Sequence, residues 1–186
     1  MKFLGNTSSL VDWDNVILQL ENLEPAYVGP RHSVSDNIIG IQEMIKLWDK
    51  AGHKLIKDGG TSGWDMFFPD KHFDKNLINI FSEFLNADSM SCWISRVNPG
   101  NMTPWHWDCN DHEDYFRTLP NMIRVSCHIS KPAFGHVSMV EDHCLYFQEQ
   151  GNTWLWPDRT NWHGGINCGF TPKYLFNFFG TLRTNQ

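Results

Sequence analysis

The sequence predicts a mainly β fold with helices at its N-terminus, the strands closed into a jelly roll of two antiparallel sheets. Three observations carry this. After residue 90, eight short apolar runs are divided by Gly, Pro, Asn and Asp. Before it, apolar residues recur at helical spacing between capping and stop signals. Nine Trp and thirteen Phe concentrate from residue 64 onward among Gly and Pro, the texture of a β-rich core around a preformed cavity rather than of a helical bundle.

The helices come first. "DWDNVILQLENLEP" opens on an Asp suited to capping and stops at Pro25. "SDNIIGIQEMIKLWDKAG" has Ser35 or Asp36 as its cap, Gly52 as its stop and one apolar stripe of Ile38, Ile41, Ile45 and Trp48. "DKNLINIFSEFLNA" sets Leu77, Ile80, Phe81, Phe84 and Leu85 on one face. Between the second and third lies "KDGGTSGWDMFFPD", Lys57 to Asp70, which reads either as an aromatic plug under a loop or as a lid and substrate wall.

The strands follow as "SCWISRVN", "MTPWHWD", "NMIRVSCHIS", "HVSMVED", "CLYFQEQ", "NTWLWPD", "NWHGGIN" and "KYLFNFFGTL". Strand side chains alternate faces, so Ile123, Val125, Cys127 and Ile129 point one way, and Arg124, Ser126, His128 and Ser130 the other. In the last strand Tyr174, Phe176 and Phe178 make an aromatic face, and Lys173, Leu175, Asn177 and Phe179 a mixed one. If the mixed faces line the barrel interior, Arg124 and Lys173 enter one cavity, which is then basic inside an acidic protein. At 186 residues the chain is expected to be a single domain, 1–90 mostly helical support and lid, 91–186 the jelly-roll core.

The net charge of −6, with Lys and Arg scattered singly, argues against binding duplex nucleic acid through its phosphates. Five cysteines without a CxxC pair give no disulfide framework or thiolate zinc site, and reduced thiols favour a cytoplasmic, intracellular protein. "MKFLGNTSSLVDWDN" lacks the run of a signal peptide, and no apolar stretch approaches membrane-spanning length, so no membrane partner is expected.

The chemistry centres on "TPWHWDCND". On a strand His106 and Asp108 share a face, so an imidazole and a carboxylate reach one ion, and His163, followed by two glycines, is the best third ligand. Two His and one carboxylate leave positions open, which suits Fe(II) that takes up a chelating co-substrate and dioxygen. Lys173, ten residues after His163, is placed to pair with the distal carboxylate of a bound diacid, because a buried lysine is costly without an anion. His32, His53 and His72 read as surface residues, and Trp105, Trp107 and Trp162 as a dry wall beside the ligands.

"PWHWD", "IRVSCHIS", "GNTWLWPDRTNWHGGIN" and "PKYLFNFFG", in that order, resemble the catalytic half of the 2-oxoglutarate and Fe(II)-dependent oxygenases, most nearly the aspartyl/asparaginyl β-hydroxylase-like branch, over residues 91–183. The resemblance implies a cupin-like double-stranded β-helix. It makes His106, Asp108 and His163 the iron ligands and Lys173 the partner of the C5 carboxylate of 2-oxoglutarate. Arg124 maps onto a co-substrate arginine of the branch, whose following histidine is here Ser126, with His128 two further on. Leu175 stands where many oxygenases have a hydroxyl, so Ser126, Tyr146 or Asn177 is expected to supply the missing donor.

The implied activity is hydroxylation of an unactivated C–H bond with O2, releasing succinate and CO2. By resemblance the substrate is a peptidyl or free amino-acid side chain. Hydroxylation of another small metabolite or a nucleobase, and a non-catalytic jelly-roll binding module, are the alternatives; oligomeric state is left open.

Overall fold

The computed structural model describes residues 1–28, 39–106, 121–156 and 162–183. In chain order these hold β1 (Lys2–Asn6), α1 (Trp13–Glu21), β2 (Tyr27–Val28), α2 (Ile39–Lys50), β3 (Asp65–Phe67), α3 (Asn76–Leu85), β4 (Ala87–Val97), β5 (Met102–His106), β6 (Met122–His128), β7 (His136–Val140), β8 (His143–Tyr146), β9 (Asn152–Leu155), β10 (His163–Asn167) and β11 (Lys173–Leu182). All eight expected strands form, as two antiparallel sheets in a double-stranded β-helix. The larger runs β1-β9-β6-β11-β4-β3-β2 and the smaller β5-β10-β7-β8.

The helices start and stop for local reasons. Asp12 caps α1 by accepting from the Asn15 amide at 3.1 Å. Gly52, at φ 82°, turns the chain after α2. Asn86 ends α3 in the left-handed region, its amide donating back to Glu83. The caps expected at Ser35 or Asp36 lie outside the described residues.

Alternation along β6 and β11 sorts the molecule into two interiors. Ile123, Val125, Cys127, Tyr174, Phe176 and Phe178 join Trp13, Leu20, Leu77 and Phe81 in one apolar core, where α1 and α3 cover the outer face of the larger sheet. Phe81 is fully buried, its ring 4.4 Å from Phe176 and 5.9 Å from Trp13. Removing it leaves a cavity lined by rings that cannot collapse, so Phe81→Ala is expected to cost roughly 3–5 kcal/mol of unfolding free energy. A denaturant titration showing a loss below about 1 kcal/mol would contradict this packing.

The first ninety residues are more than helical cover, a correction to the expectation. They also supply β1, β2 and β3 to the larger sheet, β1 pairing with β9 from Lys2↔Leu155 to Asn6↔Asn152. The cause is non-local: five residues containing Gly5 carry too little periodicity to announce a strand, and their partner lies about 150 positions away. His72 is likewise buried, not superficial. Its Nδ1 accepts from the Phe68 amide at 3.1 Å, and its Nε2 lies 3.1 Å from the Glu24 carbonyl.

Among the described residues no helix is long and apolar enough to cross a membrane. Cys92, Cys127, Cys144 and Cys168 are free thiols.

Candidate active site

The second interior lies between the two sheets, a cavity of about 110 Å³. A water needs ~10–15 Å³ by this measure, so there is room for a small organic molecule. The larger sheet contributes Arg124, Ser126 and His128 from β6, Lys173, Leu175 and Asn177 from β11, and Trp93, Ser95 and Val97 from β4. The smaller contributes His106, His163 and Ser138. None of the described lining residues is acidic. The expected basic interior is therefore present.

His106 and His163 are brought together by register. They face each other directly across β5 and β10, with ring centroids 4.0 Å apart and 50° between planes. Nδ1 of His106 donates to the Pro104 carbonyl at 2.7 Å, so the neutral ring keeps its lone pair on Nε2. Nε2 of His163 accepts from Arg124 Nη2 at 3.3 Å and is therefore unprotonated, the state a metal ligand needs. Asp108, and with it Trp107, Cys109 and His112, lies outside the described residues. Among the described residues no three His, Cys, Asp or Glu side chains are grouped to hold an ion.

The glycines after His163 have distinct reasons. A Cβ on Gly164 would meet the Thr103 carbonyl oxygen of β5 at 2.9 Å, so the two strands approach closely only because it is absent. A Cβ on Gly165 would come within 2.7 Å of Lys173 Nζ and 3.0 Å of the Val137 carbonyl. The amine thus occupies the space that Gly165 leaves, and donates to Val137 O.

Lys173 is 2% exposed, and burial, opposed in part by Cys144, pulls its pKa down to about 7. Beside it in the cavity stand His128, driven down to about 3 by burial first and the Lys173 charge second, and Ser138. Neither His128 Nε2 nor Ser138 Oγ finds a hydrogen-bond partner among the described residues. Two orphaned buried polar atoms in one cavity with a desolvated amine form a receptor for an anion with hydrogen-bond capacity.

Arg124 sits at the histidine side of the cavity, its guanidinium 3.6 Å from the Trp156 ring centroid and 4.9 Å from that of Phe179. Trp156 also meets His163 edge-on at 4.7 Å and donates through Nε1 to Ser126 Oγ at 2.9 Å. Ser126 in turn donates to Asn177 Oδ1 at 3.3 Å, and Asn177 Nδ2 to Ser95 Oγ at 3.2 Å. Ser126 and Asn177 therefore reach the cavity, but their polar atoms already bond to each other and to neighbours. Tyr146 is largely exposed and lies away from the cavity.

The dry wall differs from expectation. Trp105 is 39% exposed, because alternation on β5 turns it away from the side that His106 faces. Trp162 is not among the lining residues. The rings around the histidines are instead Trp64, Trp48 and Trp156. Trp156 was legible in principle: it shares a face with Trp154, which pairs with Ser126 on the cavity side of β6.

The chain matches no family model and no curated protein sequence. Its fold is similar to solved structures at low identity. One is the viral collagen prolyl hydroxylase of Paramecium bursaria Chlorella virus 1 in complex with 2-oxoglutarate, at 17% identity and a TM-score of 0.43, covering 79% of this chain and 92% of that one. A cupin domain of Bordetella pertussis Tohama I is 14% identical with a TM-score of 0.35, covering 51% and 91%. A predicted oxalate decarboxylase of Thermotoga maritima is 12% identical with a TM-score of 0.38, covering 65% and 83%.

Proposed function

We propose that this chain is an Fe(II)- and 2-oxoglutarate-dependent dioxygenase that hydroxylates an unactivated C–H bond of a peptide or small molecule. The observation that carries the reading is one cavity holding two different receptors: a pair of facing, unprotonated imidazole nitrogens, and a buried amine beside two orphaned polar atoms. The donor set suits both groups. His106 and His163, with Asp108 as the expected third ligand, would hold the iron; Lys173, His128 and Ser138 would receive the distal carboxylate.

When bound, iron and 2-oxoglutarate would supply an oxidant from O2 at the expense of decarboxylation to succinate and CO2, turning one substrate C–H into C–OH. The chain's own residues do the rest. Lys173 gives its charge to a carboxylate that water cannot reach, and His128 and Ser138 complete its hydrogen bonds. Arg124, packed over the Trp156 ring and near that of Phe179, keeps a fixed positive charge on the histidine side, where the acidic group of a ligand finds it. Trp64 and Trp156 exclude water from the face of each histidine. The amino-acid side-chain substrate and the aspartyl/asparaginyl β-hydroxylase-like branch rest on motif likeness alone.

Gly165→Ala probes the carboxylate receptor without removing a charged group. Its methyl displaces the Lys173 amine, so the Kd for 2-oxoglutarate is expected to rise about tenfold, ~1.4 kcal/mol, with Fe(II) affinity unchanged by calorimetry. Activity is tested by aerobic incubation with Fe(II), 2-oxoglutarate and pools of peptides and metabolites. The reading expects succinate release that depends on a pool component, and a product heavier by one oxygen. Tight binding of 2-oxoglutarate with no turnover in any pool, nor any slow uncoupled succinate release, would favour a binding module.

A further inference from the structure

The geometry points to Trp64 as a positioning residue for His106, acting with Trp48 to fix the imidazole before any ion arrives. The inference rests on the reading of His106 as a metal ligand. His106 lies on β5 directly opposite His163 of β10, and backbone pairing fixes its Cα but not its ring. Two other segments converge on the ring, and its own strand supplies a third contact.

Trp64 stacks on the imidazole at 5.4 Å between centroids and 23° between planes. Trp48, from α2, meets it edge-on at 5.9 Å and 86°, and its Nε1 donates at 2.9 Å to the carbonyl of Trp105, the residue just before His106. The stretch that carries Trp64 is docked onto β5 by backbone bonds, Met102 N to Thr61 O at 2.9 Å and Gly63 N to Met102 O at 2.8 Å. With Nδ1 tied to Pro104, both the ring plane and its flip state are determined.

A ligand oriented in advance surrenders less side-chain freedom when the ion binds. Partners in the outer sphere of metal sites typically contribute about 10–100-fold in affinity. The segment from Lys57 to Asp70 is thus a brace for the metal centre, in addition to forming one wall of the cavity.

The test is titration of the full-length protein with Co(II) alone, followed by its d–d absorption, for wild type, Trp64→Phe, Trp64→Leu and Trp64→Ala. Phe keeps a stacking ring, whereas Leu fills space without one. The inference expects Trp64→Ala and Trp64→Leu to weaken Co(II) binding about tenfold or more and to alter the band shape, with Trp64→Phe restoring most of both. Phe81→Leu, a core change remote from the cavity, controls for general destabilisation and is expected to lower thermal stability while leaving Co(II) affinity unchanged. If Trp64→Leu binds Co(II) like wild type, or Phe81→Leu weakens it equally, the positioning role is wrong. If wild type binds no Co(II), the metal reading itself fails, and this inference with it.

Discussion

Lys173→Met is expected to raise the Kd for 2-oxoglutarate by between about 30-fold and several thousand-fold, the roughly 2–5 kcal/mol lost when one partner of a buried charge pair is removed. Fe(II) affinity should change little, because Lys173 reaches the smaller sheet at Val137 and Gly165 rather than at either histidine. Equal loss of metal and co-substrate binding would count against the carboxylate role. Stability should move the opposite way: the substitution removes a desolvated amine, so the ligand-free protein is expected to hold or gain thermal stability.

The same amine sets a pH dependence whose sign follows from its burial. In the folded, ligand-free chain its pKa is about 7, and in the unfolded chain it returns to the ordinary 10.5. Between these values the unfolded state binds the additional proton, so this group's destabilising effect is full below about 7 and fades as pH rises toward 10.5. A carboxylate needs the ammonium, and binding therefore takes up a proton above about 7. Affinity for 2-oxoglutarate should then fall with rising pH, by up to about tenfold per unit. His128, lowered to about 3, stays neutral throughout and adds no charge change. Calorimetry in two buffers of different ionisation enthalpy reads the proton uptake directly. Its absence at pH 8, together with pH-independent affinity, would contradict the account.

His163→Ala is the second large effect. It removes one of the two proposed histidine ligands and leaves Arg124 Nη2 without this acceptor, though the guanidinium still lies over the Trp156 ring and near Phe179. Fe(II) affinity is expected to fall beyond the ~10–100-fold typical of an outer-sphere partner, and turnover with it. His106→Ala should do the same. Retention of iron binding and of 2-oxoglutarate turnover in the His106→Ala, Asp108→Ala double variant would show the triad to be misassigned.

What could be read from the sequence was whatever has a short period. The alternation of β6 and β11 placed Arg124, Ser126, His128, Lys173 and Asn177 on the cavity side before any coordinates, since two-residue periodicity is imposed by the strand backbone itself. The facing of His106 and His163 depends on how β5 pairs with β10, almost sixty residues apart, and was inferred only from their chemistry.

Features set by long-range packing stayed hidden. β1 is a strand because β9 is there to receive it. His72 is buried because two backbone groups, at Phe68 and Glu24, satisfy it. Trp105 does not form the wall because it neighbours the candidate ligand His106 in sequence, and adjacent strand residues face opposite ways. Ser126 and Asn177 face the cavity as the alternation implies, but only the geometry shows their bonds to be spent on each other, while His128 Nε2 and Ser138 Oγ have no partner among the described residues.

An anaerobic titration shows whether one cavity joins an iron site to a 2-oxo diacid site. Fe(II) is added to the protein with 2-oxoglutarate while the visible spectrum is recorded. A weak charge-transfer band is expected that needs both components, vanishes in His163→Ala and requires far more 2-oxoglutarate in Lys173→Met. Saturating binding of both components without that band would show that iron and 2-oxoglutarate do not meet in this cavity, and would contradict the account.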